Sequence, residues 1–346
     1  MKRYYILLLA LTLMLSMLVG CSTPNPADTQ EPAVQEVVVY TAVDQIYAEP
    51  VFKDFEAQTG IKVSAVYDLE ANKTTGLTNR IIAEKESPIC DVYWNNEFTQ
   101  TMLLQEEGLL QPYVSPAAKD IPDAYKDPDG YWTAFGGRAR VMLVNTELLE
   151  KEEYPSSIYD LISDQYDAKQ IAIAYPMFGT TRTQAAAVYA AVGTEEGRRI
   201  FQAMADRGVQ VVDGNSVTRD MAAAGQVAIG YTDTDDAKGA IGDGKPVEMV
   251  FADQGADQMG TLITPNTAAM VAGAPHPDAA KTFLDYVISQ ENEKRLIADG
   301  FFDLSLRPGT DSGGLDVTGM KVNLKEIYQQ LEAASADMQE IFGNAS

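Results

Sequence analysis

Three carboxylates follow directly after an apolar run in the second half of the chain. The run Val227–Tyr231 has the composition of a buried strand, and Asp233, Asp235 and Asp236 lie within the next five residues. Carboxylates are hard oxygen donors, so the cluster suits ferric iron, calcium or magnesium, and it suits an ammonium or another organic cation equally well. Acidic residues also favour helix N-termini, and a capping role explains at least one of the three. We expect Asp233 and Asp235 to face a ligand and leave Asp236 open.

Other loops carry oxygen donors that would complete such a cation site. Glu70 lies in a polar segment, Asn96 and Glu97 are neighbours, and Asp44 follows a predicted strand. A solvated surface carboxylate explains Glu70 and Glu97 equally well, and helix capping is the simpler explanation for Asp44. If the fold brings the two sets together, Glu70 joins Asp233 and Asp235 as a metal ligand.

A second set of polar residues would instead bind an anion. Its members are hydroxyl and amide groups at predicted helix starts: Thr41, Thr74, Thr75, Thr180, Thr181, Asn215 and Ser216. Helix N-termini with such residues bind phosphate, phosphonate or carbonate, and Arg138, Arg140 or Arg182 would pair with the anion. The signal is not specific, because every helix has an N-cap, and structural ion pairs explain Arg138 and Arg140 at least as well. A mixed site, in which carboxylates hold an amine and helix ends hold a phosphonate, would use both sets.

The charge balance narrows the classes of function. The 346 residues include 26 Lys+Arg against 50 Asp+Glu, which gives a formal net charge of −24. An acidic surface repels the phosphates of nucleic acids and anionic lipid headgroups, so a nucleic-acid partner and electrostatic docking on an anionic membrane surface are both disfavoured. A single histidine excludes a poly-His zinc site and disfavours a Ser-His-Asp triad. What remains is a small-molecule binder without a cofactor, or a hydrolase that uses Asp233 with Asp235 or Glu70.

The first residues have the pattern of a secretion signal. A basic start precedes the apolar run Ile6–Val19, which is too short for a comfortable membrane span. The run ends in Leu18-Val19-Gly20-Cys21, which resembles a bacterial lipobox. Residues 1–20 are therefore predicted to be a lipoprotein signal peptide, and Cys21 is predicted to be the lipidated first mature residue. Residues 21–36 are predicted to be a flexible tether to the membrane of the cell envelope, with the protein facing the periplasm or the exterior.

Strands and helices alternate along the rest of the chain. Strands are predicted over Val37–Tyr40, Lys62–Tyr67, Ile89–Trp94, Ile171–Tyr175, Val209–Val212 and Val227–Tyr231. Helices are predicted over Gln45–Thr59, Thr74–Glu86, Phe98–Glu107, Gln184–Val192, Thr194–Ala205, Val217–Ala224 and Asp278–Ser289, with Pro50 marking the regular start of the first. Two long extended runs, Tyr131–Asn145 and Thr261–Val271, separate two α/β halves. Ligands in such folds bind outside the carboxyl ends of the strands.

Four conspicuous side chains have structural explanations. Cys90 is expected to be a small buried core residue, and core packing is the default for Trp94 and Trp132. His276 lies between two prolines before a helix, so it is expected to be a loop or capping residue.

Several motifs together resemble one protein family. They are Val38-Val39-Tyr40-Thr41-Ala42, Phe52-x-x-Phe55-Glu56-x-x-Thr59-Gly60-Ile61-Lys62-Val63, Asp91-Val92-Tyr93-Trp94, the run Gly136 to Thr146, and Gly273-Ala274-Pro275-His276-Pro277. The set resembles the ferric-type extracellular solute-binding proteins, which are the capture components of bacterial ABC importers. Members typically carry adjacent tyrosines that bind iron after the strand that ends at Tyr231. In this chain the only Tyr-Tyr pair is Tyr4-Tyr5, and Asp233, Asp235 and Asp236 follow that strand instead.

The resemblance implies the α/β fold of a two-lobed class II periplasmic binding protein. Each lobe would be a mixed sheet flanked by helices, and the two extended runs would be crossing hinge strands. Lobe 1 would contain residues 37–138 plus 265–346, and lobe 2 residues 139–264. The lobes would close on a ligand held between them.

The resemblance also implies a function without catalysis. The protein would be a monomer that captures a small ligand, with ferric iron or an iron complex favoured, and delivers it to the ABC permease and its ATPase. An organic phosphate, a phosphonate or an amine-bearing solute is the alternative ligand. The candidate ligand-binding residues are Thr41, Asp44, Glu70, Thr74, Asn96, Glu97, Thr180, Thr181, Arg182, Ser216, Tyr231, Asp233 and Asp235.

Overall fold

The computed structural model describes residues 35–68, 75–312 and 314–343. Ten strands form one mixed sheet, in the order β2-β1-β3-β10-β5-β8-β6-β7, with β4 beside β10 and β9 beside β5. The strands are β1 (Glu36–Thr41), β2 (Lys62–Tyr67), β3 (Val92–Asn95), β4 (Leu110–Gln111), β5 (Thr133–Asn145), β6 (Ile171–Ala174), β7 (Gln210–Val212), β8 (Ile229–Asp233), β9 (Val247–Val250) and β10 (Ile263–Val271). The signal peptide, Cys21, almost all of the tether, Glu70 and Thr74 lie outside the described residues.

The described α-helices flank this sheet. They are α1 (Gln45–Thr59), α2 (Gly76–Ala83), α3 (Thr99–Glu106), α4 (Gly179–Val192), α5 (Thr194–Arg207), α6 (Asn215–Ala223), α7 (Thr234–Gly242), α8 (Pro277–Val287), α9 (Gln290–Ala298) and α10 (Leu324–Phe342). Short 3₁₀ helices cover Pro116–Ala118, Asp123–Tyr125, Lys151–Glu153, Ile158–Ile162 and Ala168–Gln170. None of the described helices is long and apolar enough to cross a membrane.

The alternation of strands and helices predicted from the sequence is confirmed, with one correction. The first helix begins at Gln45 and contains Pro50, so the expectation that regular helix starts at the proline was wrong. Proline lacks an N–H, and at this position it removes only the hydrogen bond to the carbonyl of Ile46 in the exposed first turn. The expected mixed sheet is confirmed, because β5 and β10 run antiparallel to their neighbours whereas the other pairs are parallel.

Strands β5 and β10 join the two halves of the sheet. Residues 133–139 of β5 pair with β10, whereas residues 140–145 pair with β8 and β9. The register between β5 and β10 shifts at Pro265/Asn266, where the pairing passes Gly136 and Gly137. Gly136 has φ +48°, and a Cβ there would lie 2.1 Å from Cδ2 of Phe302, so the strand needs glycine at this point.

The buried core follows this division only in part. One cluster packs α1 and α8 against β1, β3 and β10 around Trp94 and Phe283. Helix α10, close to the end of the chain, packs mainly against α4 and α5, which follow β6. It begins with a capping box between Asn323 and Glu326. Helix α10 therefore belongs by packing to the half of the sheet that contains β6, whereas α8 belongs to the half that contains β1.

Candidate functional site

A polar cleft of about 680 Å³ lies at the carboxyl ends of β1, β3, β6 and β8. One wall comes from the residues that follow β1 and β3, including Asp44, Asn96 and Glu97. The other comes from the start of α4 and from Asp233 and Asp235 around the start of α7. The location agrees with the rule for ligands in open α/β sheets.

Asp233, at the base of the second wall, forms a buried ion pair with Arg140. Asp233 Oδ1 accepts a hydrogen bond from Nη1 of Arg140 at 2.9 Å, and the Arg140 side chain is fully buried. Asp233 Oδ2 accepts from Oγ1 of Thr180 at 2.6 Å and from Nδ2 of Asn215 at 2.9 Å. Arg140 also donates to Oδ1 of Asn215 and to the carbonyl of Tyr231. Asp233 thus ties β5, β8, α4 and α6 together, and both of its oxygens already have partners.

Asp235 and Asp236 lie in the first turn of α7 rather than in a loop. One carboxylate oxygen from each of Asp233, Asp235 and Asp236 can be placed within 4.8 Å of the others, a separation that would hold one metal ion. Asp235 is exposed in the cleft, yet the surrounding protein withdraws bulk water, and this desolvation raises its pKa, with Asp233 adding to the effect. Desolvation likewise raises the pKa of Asp236, which accepts hydrogen bonds from Thr232 and Arg219. A cation would relieve the cost of holding these charges together.

Arg138 supplies the positive charge of the cleft. Its Nε is buried, makes no hydrogen bond, and lies 4.0 Å from Oδ2 of Asp233. Desolvation works against the charged guanidinium, but Asp233, Asp235 and other nearby carboxylates outweigh it and raise the pKa of Arg138. A buried donor without a partner is costly, so the geometry favours a ligand acceptor at this position.

The first wall contributes the carboxylates of Asp44 and Glu97, and Glu97 already accepts hydrogen bonds within the protein. Glu97 accepts hydrogen bonds from the backbone N–H groups of Thr99 and Gln100, at 2.7 and 2.9 Å, and so caps the start of α3. Asp44 lines the cleft and is the N-cap residue of α1, the position that the simpler expectation gave it, although its side chain makes no capping hydrogen bond. Oδ1 of Asn96 is buried without a hydrogen bond, which leaves an acceptor for a ligand donor.

The sequence is similar to those of known bacterial binding proteins. A family model of bacterial extracellular solute-binding proteins matches residues 51–315. The chain belongs to this family. Iron uptake protein A1 of Synechocystis sp. is 23% identical over 289 residues, which cover 80% of this chain and 76% of that protein. The major ferric iron-binding protein of Neisseria meningitidis is 24% identical over 276 residues, covering 77% and 80% respectively.

Solved structures share the fold of this solute-binding protein. The structure of Trichodesmium IdiA (FutA) in complex with iron and citrate superposes with a TM-score of 0.78 at 20% sequence identity. The match covers 88% of this chain and 99% of that one. The expected fold, that of a two-lobed periplasmic binding protein, is therefore confirmed.

Of the thirteen candidate ligand-binding residues, seven line the cleft of the solute-binding protein, four do not, and Glu70 and Thr74 lie outside the described residues. Those that line it are Asp44, Asn96, Glu97, Thr180, Arg182, Asp233 and Asp235. Thr41 is buried and accepts from the N–H of Val43, and Thr181 is buried beside Asn215. Ser216 is exposed away from the cleft lining. Tyr231 is buried under the Arg140 guanidinium, which lies 4.8 Å from its ring centroid, and it does not line the cleft.

The residues given structural explanations occupy structural positions. Cys90 is buried, and desolvation raises the pKa of its thiol. Trp94 and Trp132 are core residues whose indole N–H groups donate to side-chain oxygens. His276 is the N-cap residue of α8, and its backbone N–H and ring nitrogen contact Asp91.

Sequence reasoning missed the aromatic residues of the cleft and one buried threonine of β10. Tyr47, Phe178, Phe301 and Thr264 all line it. Thr264 is 2% exposed, and its Oγ1 makes no hydrogen bond, so it is a further buried polar atom available to a ligand. The resemblance pointed only to polar loop residues, whereas the position of Phe178 directly before α4 was a signal that could have been used.

Proposed function

We propose that this solute-binding protein captures ferric iron as a complex with a small oxygen-rich anion and delivers it to an ABC permease. The observation that carries the proposal is the pairing of opposite charges in one cleft. Asp235 offers carboxylate oxygens in the cleft, and Arg138 nearby offers a buried Nε–H without a hydrogen-bond acceptor. The two relatives above are named for iron uptake and ferric iron binding, which supports the same ligand.

The iron would be bound mainly through Asp235. Asp233 already accepts three hydrogen bonds, so it contributes at most one further interaction and serves to hold Arg140. Ferric iron is a hard cation that prefers oxygen ligands, and Asp235 supplies only part of its coordination shell, because both oxygens of Asp236 accept hydrogen bonds from Arg219 and Thr232. Since Tyr231 is buried against Arg140, the chelating anion has to provide the remaining ligands. We therefore propose a ferric complex as the cargo rather than a bare ion.

The anion would be held by the guanidinium groups and by a helix start. Arg138 and Arg182 both line the cleft, and Nε of Arg182 is oriented by Oγ of Ser335 at 2.7 Å. The 14-residue helix α4 begins at Gly179 without a side-chain cap, so its first N–H groups and its dipole favour a negative group. Together these groups would balance the negative charge that carboxylate chelators bring with the iron.

Thermal unfolding tests this proposal. The mature protein without residues 1–21 is heated with ferric citrate, calcium, inorganic phosphate, a sugar phosphate or an aminophosphonate. A ligand at about 100 times its Kd should stabilise the fold by roughly 2.7 kcal/mol. We expect the midpoint to rise with ferric citrate. A rise with a phosphate ester or an aminophosphonate, and none with any metal, would contradict the iron assignment in favour of the alternative ligands.

A matched pair of variants locates the site. Asp235→Asn removes a carboxylate from the cleft, and Asp243→Asn makes the same charge change at the exposed C-terminal end of the same helix. We expect the first to lose the stabilisation by ferric citrate and the second to keep it. If both variants respond like the unmodified protein, α7 does not hold the cargo.

We also propose that the two halves joined by β5 and β10 act as closing lobes. Residues 36–138 and 265–312 would form one lobe, and residues 139–264 the other, with the hinge near Gly136 and Pro265. The packing of α10 against α4 and α5 supports moving this helix from the first lobe, where the sequence placed it, to the second. A fall in the radius of gyration on addition of ferric citrate, measured by small-angle scattering, tests the closure.

The membrane anchor and transport partners are part of the proposal. Membership of an extracellular solute-binding family supports export, and we propose that Cys21 carries the lipid that anchors a monomer beside its permease and ATPase. Cys21→Ser should move the protein from the membrane fraction to the soluble fraction of cells. Retention of that variant in the membrane fraction would contradict lipid anchoring at this residue.

Transport rather than catalysis is proposed for the cleft. A hydrolase that used Asp233 with Asp235 would need Asp233 to exchange a proton or attack a substrate. Both oxygens of Asp233 are instead engaged by Arg140, Thr180 and Asn215. Turnover of glycosides or phosphoesters by the purified protein, lost in Asp235→Asn, would overturn this part of the proposal.

A further inference from the structure

The charged groups of the cleft leave its aromatic rim unexplained. Phe178 is the N-cap residue of α4, lines the cleft, and is 74% exposed. An exposed phenylalanine ring forgoes the free energy that burial would bring, and large apolar groups at a cleft are typical of ligand contact. A ferric ion with an inorganic oxyanion offers nothing apolar to cover this ring.

A second aromatic surface lines the same cleft from the other wall. The rings of Tyr47, in the first turn of α1, and Phe301, after α9, have centroids 4.9 Å apart at an interplanar angle of 33°. Both side chains are half-buried, so part of this ring pair remains uncovered. Met177 and Leu331 also line the cleft. Aromatic and apolar side chains therefore come from both walls, around the polar floor at Asp233 and Arg138.

We infer that the chelator of the cargo is a planar aromatic molecule whose ring lies between Phe178 and the Tyr47–Phe301 pair. This inference rests on the proposed function and names the class of chelator. Aromatic rings stack at centroid separations of 4.5–7 Å, so one flat ring can contact both aromatic surfaces as the walls approach each other. A volume of about 680 Å³ lies within the range of sites for organic ligands.

The polar floor fits the same class of molecule. Catecholates and ortho-hydroxybenzoates carry paired hard oxygen donors on the edge of a flat ring, so the iron end would face Asp235 while the ring extends toward the rim. The chelator itself is an anion whose carboxylate and phenolate oxygens suit Arg138 and the start of α4, while the positive charge of its iron suits Asp235. Thr264 Oγ1 and Asn96 Oδ1 remain as partners for a ring hydroxyl or amide group. No change of iron oxidation state is needed.

The experiment compares two ferric complexes by calorimetric titration. Ferric citrate supplies iron with an aliphatic chelator, and the ferric complex of 2,3-dihydroxybenzoate supplies it with an aromatic one. We expect the aromatic complex to bind at least tenfold more tightly. Phe178→Ala should weaken the aromatic complex about tenfold and ferric citrate less than twofold. Val114→Ala is the control, because Val114 is also 74% exposed but does not line this cleft.

The outcomes separate this inference from the proposed function. If ferric citrate binds as tightly as the aromatic complex, or if Phe178→Ala weakens both equally, the aromatic chelator is wrong and ferric capture stands. If neither complex binds, both proposals fail. Phe178→Leu adds a check on ring stacking, since it retains an apolar side chain without a ring. The ratio of its affinities for the aromatic complex and for ferric citrate should be lower than that of the unmodified protein. Equal thermal midpoints of the variants without ligand confirm that folding is unaffected.

Discussion

Replacing Asp233 by alanine should destabilise the fold far more than the same change two residues later. Asp233 is 5% exposed and is the carboxylate partner of the fully buried Arg140 guanidinium. Breaking a buried ion pair by removing one partner costs about 3–5 kcal/mol. Arg140 would keep its hydrogen bonds to Asn215 and to the carbonyl of Tyr231. We therefore expect a loss of unfolding free energy at the lower end of this range, about 3 kcal/mol.

The expected loss translates into a measurable shift of the unfolding midpoint. An unfolding entropy of about 2.1 cal/mol/K per residue gives roughly 0.6 kcal/mol/K for a folded unit of about 300 residues, so 3 kcal/mol corresponds to about 5 °C. Asp235→Ala, at an exposed position, should change stability by about 0.5 kcal/mol or less. The assay is calorimetry or urea unfolding of both variants without ligand.

A double variant checks the physical reason. Arg140→Met combined with Asp233→Leu replaces both charges by apolar groups, and it should lose less stability than Asp233→Ala alone, because no unpaired charge stays buried. A loss below about 1 kcal/mol for Asp233→Ala, or an equal loss for Asp235→Ala, would refute the assignment of Asp233 as a structural anchor.

Three further predictions follow from the described residues. Gly136→Ala should cost about 2–4 kcal/mol in urea unfolding, since it combines positive φ with a clash against Phe302, whereas Gly60→Ala, with positive φ but nothing within 4 Å, should cost about 1 kcal/mol. The pKa of Asp235 is raised above its ordinary value of 3.8, so its charged form opposes folding at neutral pH. Asp235→Asn without ligand should therefore be more stable than the unmodified protein at pH 7, with the difference vanishing as the pH falls below about 3.8, as measured by thermal unfolding across pH. Cys90 should resist a thiol reagent until the protein is unfolded by urea, because burial raises the pKa of its thiol; rapid modification of the native protein would contradict its burial.

The sequence predicted the order of elements because local patterns specify them. Gly60 ends α1 in the left-handed conformation, with φ 74°, and the hydrophobic spacing of α8 places Phe283 and Val287 in the core. The missed helix α10 carried a local signal as well, since Asn323 and Glu326 form its capping box. Its packing against α4 could not be inferred, because contacts between distant segments leave no local pattern.

The sequence predicted which loops form the site but not the role of each residue in them. Asp233 and Asp235 look alike in the sequence, yet one is engaged by Arg140 and the other is exposed in the cleft. The difference arises because Asp233 ends β8 opposite Arg140 in β5, a register that only the folded sheet defines. Tyr47 was missed because aromatic residues are buried by default, and its position inside a predicted helix gave no sign that it lines the cleft.

Anomalous diffraction at the iron edge tests the central claim most directly. Crystals of the mature protein loaded with ferric citrate should show one strong peak in the cleft, bound by a carboxylate oxygen of Asp235, with the anion against Arg138 and the start of α4. A peak bound only at residues outside the cleft, or an iron-free cleft occupied by a phosphate ester carried through purification, would contradict ferric capture at this site.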